Sequence, residues 1–112
     1  MRPNILLMMI VAIVFELVGT TSLKLTGGGS RPLWYVPVVV GYAGAFYVFS
    51  IAVRTLPLGV AYAVWAGLGI VGTTIIGRFI FGQFLPPLTV LGIALILLGT
   101  VIVNLSSASV AH

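Results

Sequence analysis

Of 112 residues, 61% are apolar and only 5% charged, against roughly 45–50% and 25% in an ordinary soluble domain, so the chain reads as an integral membrane protein. There is no cysteine and the single histidine, His112, is the last residue, which leaves no disulfide framework, no thiolate nucleophile and no metal cluster. The net charge of +4 comes from Arg2, Lys24, Arg31, Arg54 and Arg78, scattered singly and never as a basic run, a pattern of interfacial anchors rather than of nucleic-acid binding.

Four apolar stretches follow one another, at residues 4–23, 33–53, 58–79 and 88–105. Each holds about 20 residues, enough at ~1.5 Å per residue to cross a ~30 Å hydrocarbon core once. Pro3, Pro57 and the pair Pro86 and Pro87 stand where a helix begins without losing an internal hydrogen bond. The connections are short, so neighbouring helices should be antiparallel and residues 1–112 should form a single four-helix, all-α transmembrane domain. Residues 26–30, with three glycines, form the most flexible-looking connection. A cleavable signal is a poor reading of the first run, which is longer than a ~7–15-residue signal core, contains an acid and lacks a small-x-small cleavage site. Transmembrane β-strands would need period-two alternation instead of unbroken apolar runs.

The first stretch contains Glu16, the only carboxylate side chain in the chain. Placing such a group near a bilayer centre costs roughly 2.5 kcal/mol or more, so intramembrane acids face a bundle interior and mark an ion, proton or substrate path. The plainer reading is a protonated, hydrogen-bonded Glu that glues helices. Ala12, Ile13, Gly19 and Thr20 lie three or four residues away, share its face and leave room beside the acid. Lys24, two turns on at ~12 Å, is too far for an ion pair with it and should snorkel to the interface.

The second stretch contributes Tyr42 and Phe46, and the third Tyr62 and Trp65, both pairs at helical spacing. Aromatic faces attract cations, and a ring box around one acid suits an organic cation. Rings in membrane helices also serve as packing or belt residues, and Trp34 and Tyr35 at a span start read as belt. Gly59, Ala63 and Gly67 form a close-approach ridge on the third helix. Glycines 67, 69, 72 and 77 ease bending there, which makes Gly67 and Gly69 the candidate hinge. In the fourth helix Gly92 and Gly99 share one face and bracket Leu95 and Ile96, with no acid, base or ring in the span, as expected of an association helix. Across four crossings the basic residues divide two (Arg2, Arg54) against three (Lys24, Arg31, Arg78), almost no bias, so insertion both ways round is expected.

Four segments together resemble the small multidrug resistance transporters: FELVGTTSLK around Glu16, residues 42–46, LPLGVAYAVWAGLGIVG at 56–72, and residues 92–104. The resemblance covers essentially the whole chain. It implies an antiparallel, asymmetric homodimer in the cell membrane that exchanges protons for cationic compounds. By the same resemblance Glu16 would bind proton and substrate in turn. Tyr42, Phe46, Tyr62 and Trp65 would line the pocket, Ala12, Ile13, Gly19 and Thr20 would flank the acid, and Gly92, Leu95, Ile96 and Gly99 would form the dimer contact.

Departures from the family pattern bear on substrate range. Leu6 stands where a Tyr is frequent, and Gly27 where an acid is frequent. The string Arg54-Thr-Leu-Pro-Leu-Gly resembles the guanidinium-exporting branch, whereas Gly19-Thr-Thr and Phe81-Gly-Gln resemble the quaternary-ammonium branch. Residues beside the acid govern chemistry more than loop residues do, which favours a proton-coupled multidrug antiporter of lipophilic and quaternary ammonium cations, working by alternating access without a cofactor. The alternatives are a guanidinium-selective exporter and a non-transporting helical subunit of a larger complex. An enzyme is disfavoured because one Glu lacks the His, Asp, nucleophile–base pair or metal that hydrolysis or group transfer requires.

Overall fold

In a computed structural model, described here for residues 3–108, the chain forms four long α-helices: α1 Pro3–Leu25, α2 Tyr35–Ala52, α3 Leu58–Phe79 and α4 Pro87–Ala108. Arg2 and His112 lie outside the described residues. All four helical segments are long and apolar enough to cross a membrane, and closing every backbone hydrogen bond within the segment is what allows an apolar chain to do so.

The second crossing begins differently from its apolar run. Pro32–Trp34 forms a 3-10 turn, and the α-helix starts only at Tyr35. Pro37 falls in the first helical turn, where a missing N–H costs no internal bond.

The connection at 26–30 folds as a hydrogen-bonded turn. Thr26, only 1% exposed, donates its hydroxyl to the Leu23 carbonyl at 2.7 Å, while its own carbonyl accepts the N–H of Gly29 at 3.1 Å and of Arg31 at 2.9 Å. Gly27, Gly28 and Gly29 take φ of 59°, 70° and 99°. Three successive left-handed residues are accessible at low cost only to glycine, so these residues shape a reversal.

Helix α1 is the centre of the unit, packed along α2 and, more locally, against α3, while α4 packs on α3. Helices α1 and α2 meet glycine to glycine: a Cβ built on Gly41 would stand 2.6 Å from both the Gly19 nitrogen and the Phe15 carbonyl oxygen. Backbone thus lies on backbone, the van der Waals packing that replaces hydrophobic driving force in lipid. Gly72 receives the Leu17 side chain, and Gly67 receives Thr100 of α4. Thr100 also donates to the Ala63 carbonyl at 3.4 Å, so the small-residue ridge of α3 seats α4 at Ala63 and Gly67, whereas nothing stands within 4 Å of a Cβ on Gly59. Met9, Ala52 and Val64 form a buried cluster backed by Phe49, Trp65 and Leu68. The membrane-length window of α4 contains no buried residue, which leaves nearly its whole circumference for lipid or another chain.

Candidate functional site

Glu16 and Thr20 are one helical turn apart on α1, so their side chains meet. The Thr20 hydroxyl donates to Glu16 Oε1 at 2.6 Å, and the same Thr20 Oγ1 lies 2.7 Å from the Tyr42 hydroxyl. A threonine has one proton to give, so with Glu16 ionised the chain runs from Tyr42 O–H to Thr20 and from Thr20 O–H to the carboxylate. Gly19 makes this possible. A Cβ there would stand 3.0–3.2 Å from three atoms of the Tyr42 ring, so any side chain would press on the ring that delivers the hydroxyl.

The second carboxylate oxygen is treated differently. Oε2 is buried and has no hydrogen-bond partner among the described residues, a condition that costs about 1–3 kcal/mol for a polar group. It faces α3 at Gly69, where a Cβ would stand 3.9 Å away. Beyond it opens a cleft of about 250 Å³ lined by Glu16, Tyr62, Trp65, Ala66, Gly69, Ile70 and Thr73. One oxygen is held, and the other is unpaired and buried against Gly69, itself a lining residue of the cleft.

The four aromatic candidates divide into separate positions. Tyr62 and Trp65 line the cleft. Tyr42 reaches the acid through Thr20. Phe46 stacks on Trp65 with centroids 5.6 Å apart and planes 10° from parallel, and lies 6.3 Å from the Tyr42 ring. Phe49, not singled out by the sequence reading, meets Trp65 edge-on at 4.6 Å. Trp65 is thereby held from two sides, and offset and edge-to-face pairs of this kind contribute about 0.5–1.5 kcal/mol each.

Among the flanking residues, Ile13 reaches the Gly69 side of the cleft, its Cδ1 being 4.0 Å from the built Cβ, while Ala12 is fully buried. Thr73 was also missed. It lies one turn after Gly69 and donates its hydroxyl to the Gly69 carbonyl at 2.7 Å, and the signal was that four-residue spacing on a helix already carrying cleft residues. The two candidate hinge glycines have distinct surroundings: Gly67 faces Thr100, Gly69 faces Glu16, and α3 stays helical through both. Gly92, Leu95, Ile96 and Gly99 are not brought to the acid. They lie on α4, with Leu95 and Ile96 exposed and nothing within 4 Å of a Cβ on either glycine.

The sequence model described as Small Multidrug Resistance protein matches residues 4–96. The chain belongs to the small multidrug resistance family. It is similar to a multidrug transporter of Pseudomonas aeruginosa, with 46% identity over 91% of this chain and 93% of the relative. Quaternary ammonium compound-resistance protein QacE of Escherichia coli is 41% identical over 95% and 96% of the two chains. Multidrug resistance protein EbrB of Bacillus subtilis is 38% identical over 92% and 88%. As a member of the small multidrug resistance family, the chain is a multi-pass transporter of the cell membrane and not an enzyme.

The open contact at Gly69 yields a prediction for this family member. A methyl group 3.9 Å from Oε2 makes ordinary van der Waals contact and strains nothing, yet it occupies cleft volume beside the free oxygen. Gly69→Ala is expected to leave thermal stability unchanged and to weaken binding of bulky aromatic cations more than that of tetramethylammonium, by roughly the tenfold that ~1.4 kcal/mol represents. Equal affinity losses for both, measured by calorimetry in detergent, would show that the cation does not sit against Gly69.

Proposed function

We propose that this chain is a proton-coupled antiporter that exports lipophilic and quaternary ammonium cations. The observation that carries the reading is the half-held Glu16 carboxylate, with Oε1 fixed by Thr20, Oε2 buried and unpaired, and an aromatic-lined cleft beside the residue. A cation at Oε2 gains a desolvated opposite charge and the rings of Tyr62 and Trp65. A proton at the same atom cancels that charge. The two ligands therefore exclude each other: loading the cation expels the proton, and protons arriving from the acidic side expel the cation. The names of relatives such as the quaternary ammonium compound-resistance protein support this substrate class.

A second copy completes the chamber in this reading. The two copies lie antiparallel, associate through Gly92, Leu95, Ile96 and Gly99 of α4, and alternate between two states, with Gly67 and Gly69 letting α3 bend. The exposed α4 face and the open space over both glycines support that choice of contact. Insertion in both orientations supplies the antiparallel partner, and a C-terminal reporter detected on both membrane faces tests it. Gly99→Leu is expected to reduce cross-linked dimer and transport together; a full yield of both would remove α4 from the interface.

The deciding test is reconstitution of the pure chain in liposomes with a pH gradient. Uptake of tetraphenylphosphonium is expected, and uptake of guanidinium alone would assign the narrower branch. In detergent, a cation and a proton compete for Glu16, so affinity should fall as pH is lowered. The slope is about tenfold per pH unit for each proton displaced. Trp65 fluorescence follows the titration, and affinity independent of pH with no proton release would overturn the exchange.

A further inference from the structure

A second cleft, about 170 Å³ in volume, opens at the end of α1, and Thr20, Thr21, Lys24, Thr73, Phe81 and Gln83 line it. It carries Lys24 where the other cleft carries Glu16. Ile76 and Gly77 complete the lining, so the hydroxyl, amide and ammonium groups sit among apolar surface, and the volume accommodates about five waters at ~30 Å³ each. The location also differs. Lys24 is in the last turn of α1 and Gln83 lies in the connection between α3 and α4, both at the ends of crossing helices where water is at hand.

The two clefts meet. Thr73 lines both, and Thr20, which lines the Lys24 cleft, holds Glu16 Oε1 at 2.6 Å. A hydroxyl both donates and accepts, so Thr20 joins the carboxylate to the Lys24 cleft without any intervening group. The other titratable side chains around the acid are Tyr42, bonded to Thr20, and Tyr62 in the aromatic cleft.

Charge separates the clefts further. The Lys24 ammonium sits 5.3 Å from the centroid of the Phe81 ring, within cation–π range. The one aromatic ring of the Lys24 cleft already carries a resident cation, whereas among the described residues no cation stands over the rings of Tyr62 and Trp65. An incoming organic cation is repelled from the first and attracted to the second.

We propose that protons and water reach Glu16 through the Lys24 cleft, and that Lys24 bars organic cations from it, so that the two exchanging ions approach one carboxylate by different routes. This rests on the antiport reading above. It makes Lys24 a selectivity residue and Thr20 the junction between the routes.

The absence of cysteine from the chain permits a direct test with Thr21→Cys, a half-buried position in the Lys24 cleft that does not line the Glu16 cleft. In full-length protein in liposomes, a negatively charged sulfonatoethyl methanethiosulfonate is expected to label this cysteine at least tenfold faster than its trimethylammonium counterpart. Adding Lys24→Gln is expected to abolish the preference. Equal rates with Lys24 in place, or no labelling by either reagent, would overturn the proposal.

Labelling also plugs the cleft. Proton release on adding tetraphenylphosphonium should then slow at least tenfold while equilibrium affinity stays within twofold. Unchanged release kinetics after complete labelling would exclude the port even if exchange is real. Binding without proton release by the unlabelled protein would instead refute the antiport reading itself.

Discussion

Glu16→Gln is expected to reduce gradient-driven cation uptake to the level of protein-free liposomes while leaving the helices packed. The amide retains the shape of the carboxylate, and its oxygen can keep the 2.6 Å bond that Thr20 donates to Oε1. The Tyr42–Thr20 contact at 2.7 Å is then undisturbed. What disappears is the charge at the buried, unpaired Oε2, and with it both the attraction for a cation and the proton to be exchanged. Because Glu16 is the only carboxylate side chain, no neighbouring acid can substitute. Folding is checked by circular dichroism and by the thermal midpoint in detergent. A folded Gln variant that still accumulates tetraphenylphosphonium against a pH gradient would remove Glu16 from the mechanism.

The largest structural effect is expected at Gly41. A methyl group there would stand 2.6 Å from the Gly19 nitrogen and the Phe15 carbonyl oxygen. Both are backbone atoms of α1, so relief requires the two helices to separate along their extensive contact. Overpacking of this kind typically costs about 1–3 kcal/mol, and here the damage reaches the site directly. Tyr42 is the next residue, and moving α2 outward draws its hydroxyl from Thr20 and frees the oxygen of Glu16 that Thr20 holds. Gly41→Ala is therefore expected to lower the unfolding midpoint and cation affinity together. Gly59→Ala, where nothing stands within 4 Å of the new methyl group, should change neither. Identical stability of the two variants would mean that α1 and α2 do not cross at Gly19 and Gly41.

What the amino-acid sequence determined by itself are the properties carried by one helix at a time. Span length follows from the apolar runs because each crossing must satisfy its own backbone within about 20 residues. Glu16 stood out because a charge in such a run is costly wherever its neighbours lie. The pairing of Glu16 with Thr20 was also legible, since four-residue spacing on one helix brings two side chains together before any tertiary contact forms.

The meetings between helices were not legible, because they depend on how each helix is rotated and where two of them cross. Only the Gly19–Gly41 approach brings the Tyr42 hydroxyl onto Thr20, and only the rotation of α3 turns Gly69 toward Oε2 and Gly67 toward Thr100. The aromatic set divided for the same reason: Phe46 and Phe49 fix Trp65, which faces the cleft with Tyr62. The span end puts Lys24 near the interface, and the return of the chain after α3 adds the Phe81 ring, 5.3 Å from its ammonium. Helix propensity and hydropathy act along the chain and carry no information about azimuth. In lipid, where apolar burial does not distinguish one helix face from another, the azimuth is set by which small residues let two backbones touch.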